Sequence, residues 1–439
     1  VYDQAIPLEQ AYLVGIGVKG TRPLLSLEES LDELTLLAET AGLEVVGIST
    51  QKVSRIDPKT FIGSGKVEEV KQELETCGAA TVIFDDELTP RHQRELETAF
   101  GESIKILDRS ALILDIFGQH ARTHEGRLQV ELAQYEYLLP RLTRQWTHLE
   151  RQTGGGSARG GSGGVGLRGP GETQLEVDRR EIGRKISRLK AELEQVRAHR
   201  GRHRQQRHKA GVPVVAMVGY TNAGKSTLMR RLTLADVYIA DQLFATLDPT
   251  TRKIPLPSKK EAVLSDTVGF IQKLPTTLIA AFRATLEEII EADLILHVVD
   301  SAHEQALAHI ETVEDTLAEL DIPPLPQILV LNKTDLWASP QQMAKFQDLG
   351  YDDIVSISAQ HGTGIESLLE SAEKAIQSTM QLVEVRLTYQ QGELLGIIHR
   401  QGIVEEESHD GQGVTIRAHV PKRLADHLAE YHSRKAPLT

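Results

Sequence analysis

Apolar residues recur along this chain in three rhythms, each predicting a different kind of element. Short continuous runs read as strands: Ala11 to Val18, Glu44 to Ser49, Ala80 to Phe84 and Ile104 to Leu107 near the amino terminus, then the more buried runs 212–218, 328–331 and 354–357, with another apolar strand closing at Leu264-Ser265-Asp266. Amphipathic stretches of helical period, Ser26 to Ala41 and Val67 to Cys77, separate the first strands, which predicts a small parallel α/β unit. The second rhythm steps by four and three. Leu128, Leu132, Tyr135, Leu139, Leu142, Trp146 and Leu149 follow it, as do Ile182, Ile186, Leu189, Leu193 and Val196. Two such seams of about 35 Å are most economically buried against each other, as an antiparallel helical hairpin. The third rhythm alternates: Leu382 to Leu387 reads as a strand after a helix from Gly364 to Met380. A hairpin-like pair follows, Leu395 to Val404 and Gly413 to Val420, and a last amphipathic helix starts at Pro421. The fold class expected is α/β and multidomain. It comprises an amino-terminal parallel α/β unit over 1–109, a helical hairpin over 110–210, a central phosphate-loop domain over 211–380 and a small α+β domain over 381–439.

Between the seams, residues 153–171 are rich in glycine, serine and arginine, with no acid before Glu172. Composition alone describes a flexible linker. The paired heptads instead bring both ends of the stretch together at a hairpin tip. Charge sharpens the picture: the chain carries −13 overall, yet Arg141 to Gly211 holds 17 Lys and Arg against 7 Asp and Glu. One basic pole on an acidic protein suits a phosphate backbone, and a narrow arginine-bearing loop suits an RNA crevice. Arg151, Arg159, Arg168, Arg179 and Arg180 are the candidate RNA contacts, with the basic run Arg197 to Lys209 beyond them.

At 439 residues, 40% hydrophobic and 25% charged, the composition is that of a globular protein. The single cysteine, Cys77, excludes an internal disulfide and thiolate metal clusters, and no run is long enough to span a membrane. A cytoplasmic location is expected, or an organellar one had a transit segment preceded Val1. Among sixteen histidines no zinc spacing appears; His120 and His124 could share a helix face, as polar surface or nucleic-acid contacts.

The chemistry concentrates in the central domain. Gly219-Tyr220-Thr221-Asn222-Ala223-Gly224-Lys225-Ser226 lies between a strand pattern and a helix pattern, where backbone N–H groups meet phosphate oxygens. Lys225 is expected to reach the β and γ phosphates, and Ser226 to offer its hydroxyl to Mg²⁺. Asn332-Lys333-Thr334-Asp335 follows another buried strand. The Asp335 carboxylate can accept two hydrogen bonds from guanine, a donor pair that adenine lacks. Asn332 and Lys333 would brace this loop, and the Ser358-Ala359 backbone would meet the guanine carbonyl. Asp266-Thr267-Val268-Gly269 supplies a carboxylate to hold Mg²⁺ through water and an amide for the γ-phosphate. In the loop 243–251, Thr246 is the candidate second metal ligand, with Thr250 and Thr251 as alternatives. Thr227, Phe244, Ala245, Leu247, Thr267 and Val268 complete the expected nucleotide contacts, and Lys225, Thr246 and Gly269 are the candidate catalytic groups.

Two positions stand apart. Phe270 occupies the place after Asp-x-x-Gly where many GTPases carry a water-orienting glutamine, so unaided hydrolysis is expected to be slow. Asn222 could help coordinate K⁺ beside the phosphates or simply brace its turn. In the amino-terminal unit, Gly63-Ser64-Gly65-Lys66-Val67 imitates a phosphate loop, but the first glycine and the hydroxyl are missing. It reads as a helix-start turn able to hold an anion.

Phe61 to Glu69, Asp115 to Arg127, Gly164 to Arg180 with its Gly-Pro-Gly-Glu-Thr-Gln, and Phe244 to Arg252 are far more specific than a phosphate loop. On them the chain resembles the HflX family of GTPases along essentially its whole length. The resemblance implies a monomeric, translation-factor-like protein that binds the large ribosomal subunit with its tip loop near the peptidyl-transferase centre. It further implies stimulation by ribosomes and, in bacteria, dissociation of stalled ribosomes under stress. The competing reading is a regulatory GTPase whose hairpin binds a protein without RNA.

Overall fold

Runs of Val, Ile and Leu with few polar interruptions form the strands of two parallel sheets. The computed structural model describes residues 8–21, 23–101, 103–142, 174–210, 212–233, 243–244, 250–275, 289–319, 322 and 324–431. Two compact units divide the chain: Val1–Val196 with Lys273–Arg283, and Arg197–Gln272 with Ala284–Thr439.

In the first unit, β1 (Glu9–Val18), β2 (Leu43–Val53), β3 (Thr81–Phe84) and β4 (Lys105–Asp108) form an all-parallel sheet in the order β2-β1-β3-β4. The crossovers are α1 (Leu27–Thr40), α2 (Ser64–Cys77) and α3 (Pro90–Phe100), as strand-helix alternation requires. Local chemistry fixes their starts: Ser26 and Glu29 close a capping box on α1, and Thr89 caps α3 ahead of Pro90. The phosphate-loop imitation is the start of α2, where the Gly63 N–H donates to Gln51 Oε1 at 3.1 Å.

Next come α4 (Arg109–His120), α5 (His124–Leu138) and α6 (Gln174–Ala210). Thr123 caps α5, so His120 and His124 lie on separate helices and share no helix face. Leu128, Leu132, Leu189 and Leu193 form one buried cluster with Tyr135, Ile186 and Val196 against it, so part of the expected seam is in place. Each fully buried leucine contributes about 2 kcal/mol. The helices run antiparallel: Lys185 Nζ meets Tyr135 Oη at 3.3 Å, and Arg188, further along α6, feels Glu131, further back on α5. The first seam is interrupted at Leu139. Leu139–Arg141 is a 3-10 turn containing Pro140, which cannot donate to an α-helical ladder, so Leu139 and Leu142 do not extend α5. Trp146 and Leu149 lie outside the described residues. Arg141, counted above in the basic pole, is buried, donating to the carbonyls of Leu88 (2.6 Å) and Tyr137 (3.0 Å).

In the second unit, β5 (Val214–Val218), β6 (Thr250–Pro255), β7 (Glu261–Asp266), β8 (Leu294–Asp300), β9 (Gln327–Asn332) and β10 (Asp353–Ser356) form a sheet in the order β10-β9-β8-β5-β7-β6. Only edge strand β6 is antiparallel. α7 (Lys225–Thr233) follows β5, α8 (Ala306–Ala318) follows β8 and α9 (Ile365–Ser378) follows β10. The strand order reverses at β5, which sets the crevice at its carboxyl end where such sheets hold ligands.

The carboxy-terminal part contains β11 (Gln381–Leu387), α10 (Gly392–Gln401), β12 (Ile403–Asp410), β13 (Gly413–Val420) and α11 (Lys422–Leu428), its antiparallel sheet ordered β11-β13-β12. Leu395 to Gln401, expected as part of a hairpin strand, is helical. Thr388 and Gln391 form a capping box on the turn leading into α10, and Ile398 packs into the local core while β12 supplies the strand.

A buried ion network holds α4 to the first sheet. Arg109, 1% exposed, donates to Asp85 Oδ1 at 2.9 Å and pairs with Glu33; Asp85 also accepts from Ser30 Oγ and from Lys273 Nζ, carried by the 273–283 segment of the same unit. Removing one partner leaves buried charge uncompensated. Arg109→Met is expected to lower the stability of this unit by about 3–5 kcal/mol, read as an earlier urea transition in far-ultraviolet circular dichroism.

Candidate functional site

The loop after β5 has its shape forced on it. Gly219 passes so close to β8 that a Cβ would lie 2.1 Å from the Val298 carbonyl oxygen, and Gly224 would place one 2.2 Å from Asn332 Nδ2. Both glycines have positive φ, as does Asn222 (φ 58°) between them. Lys225 opens α7 with its side chain folded back, Nζ donating to the carbonyls of Gly219 and Tyr220 at 2.8 Å each. Burial lowers its pKa to about 8, against the opposing pull of the Asp266 carboxylate. Nearby on β8, His297 is buried and hydrogen-bonded through Nδ1 to Tyr351 Oη at 2.7 Å. Burial first, and then the Lys225 charge, holds its pKa down to about 3, so it adds no charge behind the loop.

Strand β7 ends at Asp266, 1% exposed, whose Oδ2 accepts from Ser226 Oγ at 3.3 Å. A hydroxyl beside a carboxylate is a hard oxygen donor set, which suits Mg²⁺. Thr267 turns inward to the Met217 carbonyl at 2.7 Å, and buried Val268 leads to Gly269. A Cβ on Gly269 would lie 3.0 Å from Thr221 Cα and 3.4 Å from Lys225 Nζ, so this residue is wedged against the phosphate loop. Phe270 then pairs with the loop through its backbone. Its N–H donates to Gly219 at 3.1 Å, and its carbonyl accepts from Thr221 at 2.7 Å. Its ring is buried, 2% exposed, and is no water-orienting group. Tyr220, in the loop, accepts the Gln272 N–H on its hydroxyl at 2.9 Å and stacks on His309 at 3.9 Å. Neither contact was legible in the sequence, because nothing local marks which distant ring a buried tyrosine meets.

Of the first-switch residues, Phe244 is described: its N–H donates to Thr221 Oγ1 at 3.2 Å with φ at 57°. Ala245, Thr246 and Leu247 lie outside the described residues. The alternatives Thr250 and Thr251 are ladder residues opposite Asp266 and Ser265. Thr227 follows Ser226 in the first turn of α7, half-buried.

Asn332, Lys333 and Asp335 sit at the end of β9. Asn332 Nδ2 donates to the Ala223 carbonyl at 2.8 Å, and its Oδ1 accepts the Ala359 N–H at 3.0 Å. Lys333 has φ 62° and pairs with Asp300 at 2.7 Å. The Asp335 carboxylate stands 3.8 Å from His361 Nε2. Ser358 closes the neighbouring loop, its N–H on the Thr363 carbonyl. The structure therefore gathers the three loops expected to face phosphate, metal and base at the carboxyl end of one sheet. Of the candidate RNA contacts, Arg179 and Arg180 are exposed on α6, while Arg151, Arg159 and Arg168 lie outside the described residues. Among the described residues there is no cluster of three or more potential metal-ligating His, Cys, Asp or Glu, and no helix long and apolar enough to cross a membrane.

Because Lys225 is half-deprotonated near pH 8 and a bound phosphate favours its charged form, nucleotide binding takes up a proton above that pH. GDP affinity is expected to hold below pH 8 and to fall above it by up to about tenfold per pH unit. Calorimetric titration in buffers of different ionisation enthalpy checks the proton count.

Three family models match successive parts of the chain: the GTP-binding GTPase N-terminal region at 28–118, the GTP-binding GTPase middle region at 120–207, and the 50S ribosome-binding GTPase at 214–333. GTPase HflX of Caldanaerobacter subterraneus subsp. tengcongensis is 45% identical over 404 residues, covering 92% of this chain and 90% of its own length. GTPase HflX of Escherichia coli K12 is 42% identical over 422 residues, covering 96% of both. Among solved structures, the SsGBP–GDP complex is 26% identical with a TM-score of 0.46, covering 84% of this chain and 99% of its own. A GTP-binding protein of the archaeon Sulfolobus solfataricus in complex with GDP is 25% identical with a TM-score of 0.42 and the same coverage. With more than 40% identity to the two HflX relatives sustained over nine-tenths or more of each chain, the protein belongs to the HflX family of GTPases.

Proposed function

We propose that this GTPase associates with the large ribosomal subunit through rRNA near the peptidyl-transferase centre and dissociates stalled or idle ribosomes under stress. It acts there as a cytoplasmic monomer. The observation that carries the reading is the antiparallel packing of α5 on α6. The pairing of α5 with α6 supports reading the arginine- and glycine-rich stretch 153–171, which lies between them in the sequence, as a hairpin tip instead of a linker. Division into domains 1–109, 110–210, 211–380 and 381–439 belongs to the same proposal.

GTP is the substrate and GDP the product. Asp335 reads the guanine, Asn332 and Lys333 brace its loop, and the neighbouring Ser358-Ala359 loop frames the base, its Ala359 N–H held by Asn332 Oδ1 at 3.0 Å; the phosphate-loop amides with Lys225 hold the phosphates. Ser226, Thr246 and, through water, Asp266 would hold Mg²⁺, which spreads the charge of the β and γ phosphates. The Gly269 amide reports the third phosphate. Gly269 lies in a segment whose next residue, Phe270, is paired with Gly219 and Thr221 of the phosphate loop. Orientation of the attacking water falls to a group other than buried Phe270, so intrinsic hydrolysis is slow and the ribosome accelerates it.

Co-sedimentation with ribosomal subunits, using a nonhydrolysable GTP analogue over a salt series, tests the reading. The wild-type chain is expected to pellet with large subunits with steep salt dependence. Arg159→Ala with Arg168→Ala weakens that association and spares GTP affinity. Unchanged pelleting of the double variant removes the tip from the interface, and no pelleting at any salt favours a protein partner. The Asn222 side chain is proposed to share a K⁺ ion with the phosphates. Ribosome-stimulated hydrolysis is then faster in potassium than in sodium buffer, and equal rates eliminate that role.

A further inference from the structure

We propose that Arg231 is a positioning residue for base recognition, holding the guanine-facing loop in place from the far end of the phosphate-binding helix. The inference deepens the reading given above and rests on Asp335, Asn332 and Ala359 framing the base. Arg231 lies in the last turn of α7, the helix that begins with Lys225 and Ser226. Its Nε donates to the Ala359 carbonyl at 3.1 Å, and Nη2 donates to the Gln360 carbonyl. Two successive carbonyls thus meet two donors of one guanidinium, a match that a planar fork makes and a single ammonium does not.

The loop passes beside this contact. A Cβ on Gly362, whose φ is +82°, would lie 3.4 Å from the Arg231 Cζ and 3.5 Å from Nε and Nη1, so a side chain there would press on the guanidinium. Ser358 closes the turn, accepting Gly362 N–H on its carbonyl at 2.7 Å and His361 N–H on Oγ at 3.2 Å. Ala359 is gripped from two sides: its N–H by Asn332 Oδ1 at 3.0 Å, its carbonyl by Arg231. A peptide group is a rigid plane with C=O and N–H opposed, so fixing the Ala359 and Gln360 carbonyls fixes the next two N–H directions as well. Without Arg231 these carbonyls turn to water, and the positive-φ glycines at 362 and 364 leave the loop free to rearrange. Nothing in the local sequence marks Arg231; an arginine near a helix end is ordinarily a solvated charge.

The test compares Arg231→Ala, Arg231→Lys and the unaltered protein by displacement of a fluorescent GDP analogue and by competition with inorganic tripolyphosphate, which occupies the phosphate loop without a base. Arg231→Ala is expected to raise the GDP off-rate about tenfold and leave tripolyphosphate affinity unchanged, with Arg231→Lys recovering part of the loss. An unchanged GDP off-rate overturns the proposal. So does an equal loss of tripolyphosphate affinity, which would mean that the variant damages the helix itself. Asp335→Asn, run alongside, separates this from the underlying reading. If it fails to move preference from guanine to xanthine nucleotides, the base assignment falls and the proposal with it. If preference moves while the Arg231 variants bind GDP normally, only the positioning role falls.

Discussion

One carboxamide, that of Asn332, ties the nucleotide site together. It is 2% exposed, bonds the phosphate loop through Ala223 and the base loop through Ala359, and its backbone carbonyl receives both the N–H and the hydroxyl of Ser301. A buried amide must have both ends satisfied, which fixes the distance between the loops it joins. Gly224 follows from it, since a methyl group there would overlap Nδ2. An aspartate at 332 would set a second acceptor against the Ala223 carbonyl. The glycine register of the phosphate loop and the asparagine of the base loop, far apart in sequence, are one steric and polar constraint.

Coupling between phosphate loop and sensor is different in kind, because it runs through main chain. Phe270 pairs with Gly219 and Thr221 by backbone hydrogen bonds, and Gly269 fits against Thr221 because it has no side chain. The side chain at 270 is therefore released from signalling and can be apolar and buried. Under the proposed function, sensing of the third phosphate falls to the Gly269 backbone and orientation of water to a group other than Phe270.

Legibility tracked how local each cause is. The phosphate loop could be read because each residue type answers a contact that only glycine, lysine or a hydroxyl satisfies, and the parallel strands because burial on both faces writes itself as uninterrupted Val, Ile and Leu. The helix seam was legible in its middle, at Leu128, Leu132, Leu189 and Leu193, but its periodicity ran across Pro140 without marking the 3-10 turn that Leu139–Arg141 forms there. Leu395 to Gln401 misled for a related reason: a dense apolar run of that length fits strand or helix equally, and a capped turn before it decided the matter. Arg141 and Arg231 were invisible as structural residues. Their partners are carbonyls at Leu88, Ala359 and Gln360, and a carbonyl has no sequence signature.

The two ends of α7 make sense together. In the proposed reading its first residues face the phosphates and its last turn holds the base loop through Arg231; its nine residues span about 13 Å. A short helix resists stretching, so a ligand that satisfies both ends must present base and phosphate at one separation. Lys225 adds the energetic half of the argument. Buried, it donates among the described residues to two loop carbonyls, and its lowered pKa reflects the desolvation that an arriving phosphate relieves. Under that proposal, affinity generated at the first turn is offered to ligands whose base also fits at the last, which makes recognition of guanine a condition on tight phosphate binding.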